Sequence, residues 1–226
     1  MNRNENTIHS ENVFFRTLSE KVQPSHTAVI VVDMQKEFCE TSELANRLDL
    51  TKEKVASPTE CMKIFIDECH RYGVFVVFTQ EIDDPKFMTE PMWERLYRKN
   101  MQPYCLSGTK GVEIIDDFEI NPKDEIVIKH RFNAFYESDL NILLQAHKIK
   151  TCIFIGTQTN VCVDSTARDA YFRGYYVVVV DDCTFTYDPK IHKMALQTIE
   201  EAFGVVAQSK DIIQIWKDLS TRHIGS

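Results

Sequence analysis

The segment 28–35 reads Ala-Val-Ile-Val-Val-Asp-Met-Gln, and it decides the fold of this chain. Its first five residues, Ala28–Val32, are all apolar and show no alternation with polar residues. Such a run is typical of a parallel strand that is covered by helices on both faces. Asp33 follows the run directly. The segment therefore predicts a buried strand that ends on a carboxylate.

Similar apolar runs elsewhere predict five more strands. They are Val74–Phe78, Glu125–Ile128, Cys152–Ile155, Tyr176–Val180 and Val205–Ala207. Helical patterns lie between them, at Pro58–Arg71, Ser138–His147, Asn160–Arg173 and Ile191–Phe203. Strands that alternate with helices favour right-handed parallel crossovers. We therefore expect an α/β fold with a doubly wound, mainly parallel six-stranded sheet and helices on both faces, a Rossmann-like arrangement of three layers.

Local sequence signals also predict the start of the first long helix, the character of residues 83–109 and the extent of the N-terminal arm. Ser57 is a plausible N-cap and Pro58 suits a first helical turn, so the first long helix is expected to begin there. Residues 83–109 contain three prolines and predict a partly helical excursion over the sheet edge. The polar N-terminus predicts a loose arm over residues 1–25, followed by one domain over residues 26–226.

Composition narrows the classes of function. The net charge is −8 and no Lys or Arg run occurs, which disfavours nucleic-acid binding. No stretch approaches the roughly 20 apolar residues of a membrane span, and the N-terminus lacks a signal-peptide pattern. The chain has seven cysteines, an odd number, with no CxxC pair. We therefore expect free thiols and a cytoplasmic location.

Three reactive side chains are predicted to meet at one sheet edge. Asp33 ends the first strand, Lys129 ends the third, and Cys162 lies near the start of the helix that follows the fourth. Ligands of doubly wound sheets bind beyond the carboxyl ends of the strands. Lys129 and the helix N-terminus favour a thiolate, and Asp33 can accept the thiol proton. Together they suggest a nucleophile with its base and an orienting cation.

Each of these residues also has an ordinary structural explanation. A single cysteine near a strand end is usually a buried apolar residue, an aspartate after a strand is usually a turn residue, and a lysine there is usually solvated. The pattern alone leaves catalysis and these structural roles as alternatives.

Four motifs, in order along the chain, resemble the isochorismatase-like cysteine hydrolases. They are Ala28-Val29-Ile30-Val31-Val32-Asp33-Met34-Gln35, Ser107-Gly108-Thr109-Lys110-Gly111-Val112-Glu113-Ile114, Lys129-His130-Arg131-Phe132-Asn133-Ala134-Phe135 and Gly156-Thr157-Gln158-Thr159-Asn160-Val161-Cys162-Val163. The likeness extends over about residues 27–213. It implies the same fold and a chemistry that needs no cofactor.

The resemblance also implies a role for each matching residue. Cys162 would attack an amide carbonyl, Asp33 would carry the proton to the leaving group, and Lys129 would steady Asp33. A cis peptide is expected at Thr157–Gln158. The backbone N–H groups of Gln158 and Cys162 would form the oxyanion hole.

The resemblance narrows the substrate class as well. Isochorismatases proper lack the cysteine, so Cys162 disfavours vinyl-ether hydrolysis. Nicotinamidases carry a metal-binding Asp and His cluster after the second strand. Here residues 79–84 contain no histidine, so no metal is expected, and Asp83 and Asp84 are interpreted as surface turn residues.

The nucleophile motif looks closer to the hydrolases of biuret, triuret, ureidoacrylate and N-carbamoyl amino acids. We therefore expect a small-molecule ureido or carbamoyl amide as substrate. A nicotinamidase without the usual metal and a non-catalytic binding protein of the same fold are the alternatives.

Further residues are predicted to contact the substrate. The candidates are Phe38, Glu81, Asn133, Phe135, Tyr136 and Gln158. Arg131 could bind a substrate carboxylate or serve as a structural salt-bridge partner. The family resemblance also implies a homo-oligomer, either a dimer or a tetramer.

Overall fold

The computed structural model describes residues 14–40, 43–47 and 52–224, and its strands form one sheet. The strands are β1 (Thr27–Val32), β2 (Phe75–Glu81), β3 (Glu125–Lys129), β4 (Thr151–Thr157), β5 (Tyr176–Phe185) and β6 (Val205–Ala207). Their order is β3-β2-β1-β4-β5-β6, and every neighbouring pair is parallel. The predicted doubly wound sheet is therefore confirmed, and it is fully parallel.

Helices connect these strands. They are α1 (Leu18–Lys21), α2 (Lys36–Cys39), α3 (Glu43–Arg47), α4 (Lys52–Tyr72), α5 (Glu90–Arg98), α6 (Leu140–Ala146), α7 (Asp164–Phe172), α8 (Pro189–Ala202) and α9 (Ser209–Ile224). Short 3₁₀ turns occur at Pro24–His26, Pro85–Phe87 and Lys110–Val112, and Thr159–Val163 forms a π-helical turn. Among the described helices, none has both the length and the apolar character that crossing a bilayer requires.

Two apolar cores, one on each face of the sheet, produce the three layers. Val29 and Val31 of β1 face α4 and α9, where they pack with residues such as Phe65 and Trp216. Ala28, Ile30 and Val32 face the opposite core, which α6, α7 and α8 complete with Leu140, Ala167 and Leu196. Since both faces of β1 are buried, its sequence needs no polar alternation.

Strand β3 departs from this pattern. It lies at the edge of the sheet, and Ile126 and Ile128 are 46% and 49% exposed. The continuous apolar run of β3 therefore does not mean that both of its faces are covered.

Several predicted helix boundaries differ from the structure, and one helix was not predicted. Helix α4 begins at Lys52, so Pro58 lies inside it and removes one backbone hydrogen bond. The helix extends past the proline because the side chain of Val55 is buried in the core. The helix expected from Asn160 begins as the π-helical turn, and α7 starts at Asp164. Helix α9 was not predicted.

The N-terminal arm is only partly described. Residues 1–13 lie outside the described residues. In residues 14–25, Val22 is fully buried and its carbonyl accepts a hydrogen bond of 2.6 Å from the Trp216 indole. This part of the predicted arm is therefore packed against the domain.

The strand order reverses between β1 and β4, which opens a crevice at their carboxyl ends. Gly156 lies at this point with φ +112°, and a Cβ there would lie 2.2 Å from the carbonyl oxygen of Val32. Only glycine permits this conformation together with so close an approach. Gly156 therefore lets the chain leave β4 beside Asp33.

Candidate functional site

Four polar residues from different segments meet at this crevice. Asp33 follows β1, while Glu81 and Lys129 end β2 and β3 and are partners in the sheet register. Cys162 lies in the π-helical turn after β4. All four are buried, so their charges and hydrogen bonds must be satisfied largely by one another.

Lys129 is the centre of the cluster. Its Nζ atom lies 2.8 Å from Asp33 Oδ2 and 2.6 Å from Glu81 Oε2. It also donates a 2.9 Å hydrogen bond to the Arg131 carbonyl and lies 3.9 Å from Cys162 Sγ. Burial alone would lower the pKa of Lys129, but the carboxylates and the sulfur raise it well above its ordinary value. The ammonium is therefore a permanent positive charge.

Asp33 is held in a fixed orientation. Its backbone has φ +51°, a left-handed conformation that Asp tolerates better than most residues. Thr79 donates a 2.6 Å hydrogen bond to Asp33 Oδ1, and its hydroxyl accepts a 3.1 Å bond from the Asp33 backbone N–H. Burial is the largest cause that raises the pKa of Asp33 to about 6, although Lys129 opposes the rise. Asp33 can therefore exchange a proton near neutral pH.

Cys162 is neutral at rest. It is 6% exposed, and its thiol lies 3.6 Å from Glu81 Oε2. Burial raises the pKa of the thiol well above its ordinary value, and the charges of Asp33 and Glu81 add to this effect while Lys129 opposes it. The thiolate therefore has to be generated by proton transfer to a base.

Glu81 and Asp83 form a carboxyl pair beside the Cys162 thiol. Burial is the largest single effect on the pKa of Glu81 and raises it, but the charge and hydrogen bond of Lys129, together with hydrogen bonds from Asp83 and Cys162, leave that pKa lowered. Asp83 contacts Glu81, and burial together with that negative charge raises the pKa of Asp83 to about 8. Asp83 is only 6% exposed, so the interpretation of Asp83 as a surface turn residue was wrong. Asp84 does act as a turn residue, since its Oδ1 atom accepts a 2.8 Å hydrogen bond from the Ser107 backbone N–H.

Hydrogen bonds to residues outside the turn hold the turn that carries Cys162 in place. Its preceding peptide, Thr157–Gln158, is cis, as the resemblance implied. The Thr159 hydroxyl lies 2.9 Å from His192 Nδ1, and His192 Nε2 lies 2.9 Å from Asp181 Oδ1. These contacts fasten the turn to α8 and β5.

The cluster has ligand atoms that a metal ion could use. The ligand atoms of Asp33, Glu81 and Cys162 all lie within 4.8 Å of one another. However, Lys129 Nζ already contacts both carboxylates and supplies the positive charge that would neutralise them. This donor set therefore fits an ammonium better than a metal.

A cavity of about 50 Å³ opens beside the thiol. Glu81, Gln158, Thr157 and Arg95 give it polar groups. Its apolar walls are formed by Phe38, Leu44, Met101, Tyr104, Phe132 and Val161. A small substrate with one polar reacting end suits such a site.

A larger cavity of about 150 Å³ shares Arg95, Tyr104 and Phe132 with the first. Arg131 also lines it. Arg95 donates a 3.3 Å hydrogen bond to the Tyr104 hydroxyl, and Arg131 donates one of 2.5 Å to the His130 carbonyl. Within residues 14–40, 43–47 and 52–224, neither guanidinium forms a salt bridge.

The predicted contact residues divide into two groups. Phe38, Glu81 and Gln158 line the cavity beside Cys162. Asn133, Phe135 and Tyr136 do not.

Each of the second group is engaged elsewhere. Asn133 donates to Asp169 Oδ2 and accepts from Phe135 N–H, so its amide is used structurally. The ring of Phe135 packs in the core, and that of Tyr136 is 49% exposed. The structure therefore places these three side chains outside the cavity beside Cys162.

The sequence did not indicate several residues of the site. Thr79, Asp83, Arg95, Tyr104 and Phe132 contact the cluster or line its cavity. Arg95 and Tyr104 come from the irregular segment 83–109. Phe132 was quoted only as part of the lysine motif, and its position in that motif was the available signal.

Comparison with protein families gives one match that covers most of the chain. Residues 27–211 match the isochorismatase domain. A ureidoacrylate amidohydrolase, RutB of Agrobacterium fabrum, is 28% identical over 204 residues, which cover 84% of this chain and 90% of that protein.

Solved structures agree with this result. A cysteine hydrolase from Pseudomonas syringae pv. phaseolicola 1448A has a TM-score of 0.78 and 25% identity, covering 92% of this chain and 99% of that one. N-carbamoylsarcosine amidase from Thermoplasma acidophilum has a TM-score of 0.68 and 26% identity, covering 81% and 96%.

Proposed function

This chain belongs to the isochorismatase family, and from that premise we propose that it is a cysteine-dependent amidohydrolase of ureido or carbamoyl acids. It cleaves a C–N bond other than a peptide bond, and it releases ammonia or an amine. The observation that carries the proposal is the contact of Lys129 with Asp33, Glu81 and Cys162 beside a cavity. The similarity to a ureidoacrylate amidohydrolase and to an N-carbamoylsarcosine amidase supports this substrate class.

Proton transfer starts the reaction. The thiol of Cys162 is neutral, and it lies within hydrogen-bonding reach of both Glu81 and Asp33. Asp33 is nevertheless the better base, because its pKa of about 6 is raised whereas the pKa of Glu81 is lowered. The proton of Cys162 therefore ends on Asp33 as the sulfur attacks the carbonyl carbon.

An acyl-enzyme follows. The Sγ–C bond forms, the C–N bond breaks, and Asp33 returns its proton to the leaving nitrogen. Water then attacks the same carbon as Asp33 accepts one of its protons, the Sγ–C bond breaks, and Asp33 returns that proton to the sulfur. Backbone N–H groups of Gln158 and Cys162 serve as the oxyanion hole, which is consistent with the position of both residues beside the cavity.

Lys129 and Glu81 set the charge of the site. Two carboxylates around one ammonium leave the cluster with one excess negative charge when both are ionised. Transfer of the Cys162 proton to Asp33 moves that excess from the carboxylates to the sulfur, and the net charge of the cluster does not change. Lys129 therefore stabilises the developing thiolate without itself giving up a proton.

The arginines suggest what the rest of the substrate carries. Arg95 lies on the wall of both cavities and has no carboxylate partner among the described residues. Arg131 lines the larger cavity and likewise forms no salt bridge among the described residues, although its charge acts on Asp83. Buried or half-buried guanidinium groups favour a bidentate anionic partner. A substrate with a ureido group at one end and a carboxylate at the other satisfies both cavities.

Ammonia release from a panel of compounds tests the proposal. The panel contains N-carbamoyl amino acids, ureidoacrylate, biuret and nicotinamide. We expect turnover of the ureido acids, and a loss of about a thousandfold or more in Cys162→Ser. Cys152→Ala is the matched control, because Cys152 is buried in β4 away from the cluster.

Three results would contradict the proposal. Full activity in Cys162→Ser would remove the nucleophile. If nicotinamide is the only compound that is hydrolysed, the nicotinamidase alternative is favoured. If no compound is turned over and the Cys162 thiol is unreactive, the non-catalytic binding protein is favoured.

A further inference from the structure

A second pair of thiols lies away from the catalytic cluster. Cys61 of α4 and Cys183 of β5 have their Sγ atoms 3.2 Å apart, and the Cys183 thiol donates to the Cys61 sulfur. Cys183 packs in the core that faces α4 and α9, whereas Cys162 belongs to the core on the opposite face of the sheet. The pair is therefore separated from the nucleophile by the sheet itself.

The two thiols differ in access. Cys61 is partly exposed and Cys183 is fully buried. A small oxidant from solvent can therefore reach Cys61 first, while Cys183 stays protected behind it. A reactive thiol that is open to solvent and backed by a second thiol is the usual arrangement of redox-active cysteines.

A proton acceptor stands beside the exposed thiol. Cys61 Sγ donates to Asp182 Oδ2 at 3.3 Å and lies 3.4 Å from Ser209 Oγ. The hydrogen bond that the Cys183 thiol donates to Cys61 is the largest cause of the lowered pKa of Cys61. The same contact raises the pKa of Cys183. Cys61 is thus suited to attack an oxidant, and Cys183 is suited to form the disulfide afterwards.

We propose that Cys61 and Cys183 form an intrachain disulfide when a hydroperoxide oxidises Cys61. The Cys61 proton passes to Asp182, and Sγ attacks one peroxide oxygen. An S–O bond forms as the O–O bond breaks, which gives a sulfenic acid, and the leaving oxygen takes the proton from Asp182 and departs as an alcohol or water. Cys183 Sγ then attacks Cys61 Sγ, the S–O bond breaks, and water leaves with the Cys183 proton. Two thiols and one hydroperoxide thus give one disulfide, one water, and one alcohol or second water.

The same group of ligand atoms could hold a soft metal ion, but its hydrogen bonds favour the dithiol. Both oxygens of Asp182 are already used: Oδ1 accepts from Ser209 N–H at 2.8 Å, and Oδ2 accepts from Ser209 Oγ at 2.6 Å. These bonds fix the start of α9. A metal would have to displace them and also remove the proton of the buried Cys183.

Peptide mapping of the full chain tests this inference. The reduced protein is treated with a slight excess of hydrogen peroxide, alkylated, digested with trypsin without reduction, and analysed by mass spectrometry. We expect peptides 55–63 and 174–190 to be linked, and two of the seven thiols to be lost. In Cys183→Ala the link must disappear, and a dimedone adduct must appear on Cys61.

Cys69→Ala is the matched control. Cys69 also lies on α4 but is fully buried, so its removal should leave the 55–63 to 174–190 link intact. Circular dichroism verifies that each variant is folded, and the wild-type map is decisive by itself. Over-oxidised Cys61 without the link would overturn the inference. So would both thiols remaining alkylatable, or zinc that copurifies with the chain and is lost in Cys61→Ser.

Discussion

The Cys162 thiol donates its hydrogen bond to Glu81, across 3.6 Å between Sγ and Oε2. Glu81 is at the same time 2.6 Å from Lys129 Nζ, which also contacts Asp33 at 2.8 Å. The Cys162 thiol therefore faces two carboxylates that share one ammonium. The different pKa values of these carboxylates determine which of them can accept the thiol proton, and four predictions depend on this cluster and the cavity beside it.

The acidic limb of the activity profile should report Asp33. Its folded pKa is raised to about 6, so the base is protonated below that pH and ionised above it. We expect kcat/KM to rise as pH increases through about 6. Thr79→Val removes a hydrogen bond that lowers the pKa of Asp33, so the limb should move to higher pH. A profile that is flat between pH 5 and 7, or unmoved by Thr79→Val, would exclude Asp33 as the titrating base.

The alkaline limb should report Asp83. Its pKa is raised to about 8, so above that pH it adds a negative charge beside Glu81. That charge opposes formation of the Cys162 thiolate, and kcat/KM should therefore fall as pH rises above about 8. Asp83→Asn cannot ionise and should abolish the fall. The neighbouring variant Asp84→Asn should keep it, and an unchanged limb in Asp83→Asn would assign the fall to another group.

Lys129→Met should destabilise the protein strongly. It leaves the charges of Asp33 and Glu81, each side chain 1% exposed, without their partner. Breaking a buried ion pair in this way costs about 3–5 kcal/mol in the free energy of unfolding, measurable by urea denaturation. The exposed Lys217→Met should change it by no more than about 0.5 kcal/mol. Equal effects of the two variants would mean that Lys129 has no special electrostatic role.

Arg95→Met should weaken the binding of charged substrates selectively. Hydrogen bonds to a charged group contribute about 1.5–3 kcal/mol, so KM for an N-carbamoyl amino acid should rise by roughly 10- to 100-fold. KM for uncharged biuret should stay the same. Arg98→Met, on the same helix but paired with Glu94 at the surface, is the control. A parallel rise for both substrates would indicate a structural role for Arg95.

The sequence predicted much of the fold because its signals are local. Apolar runs such as Ala28–Val32 report burial on both faces, and glycines report where helices stop. The exceptions had tertiary causes. Ile126 and Ile128 are half exposed because β3 is an edge strand, and α4 continues through Pro58 because Val55 packs into the core.

The sequence by itself determined the three residue types at the sheet edge, since Asp33, Lys129 and Cys162 each follow a recognisable strand. Only the tertiary structure decided how they act on one another. Glu81 and Cys162 are separated by 81 positions in the chain yet lie in contact, and Asp83 and Arg95 reach the same site from a segment without periodicity. A pKa or a substrate contact depends on distances of a few ångströms between distant segments, and no local pattern records those distances.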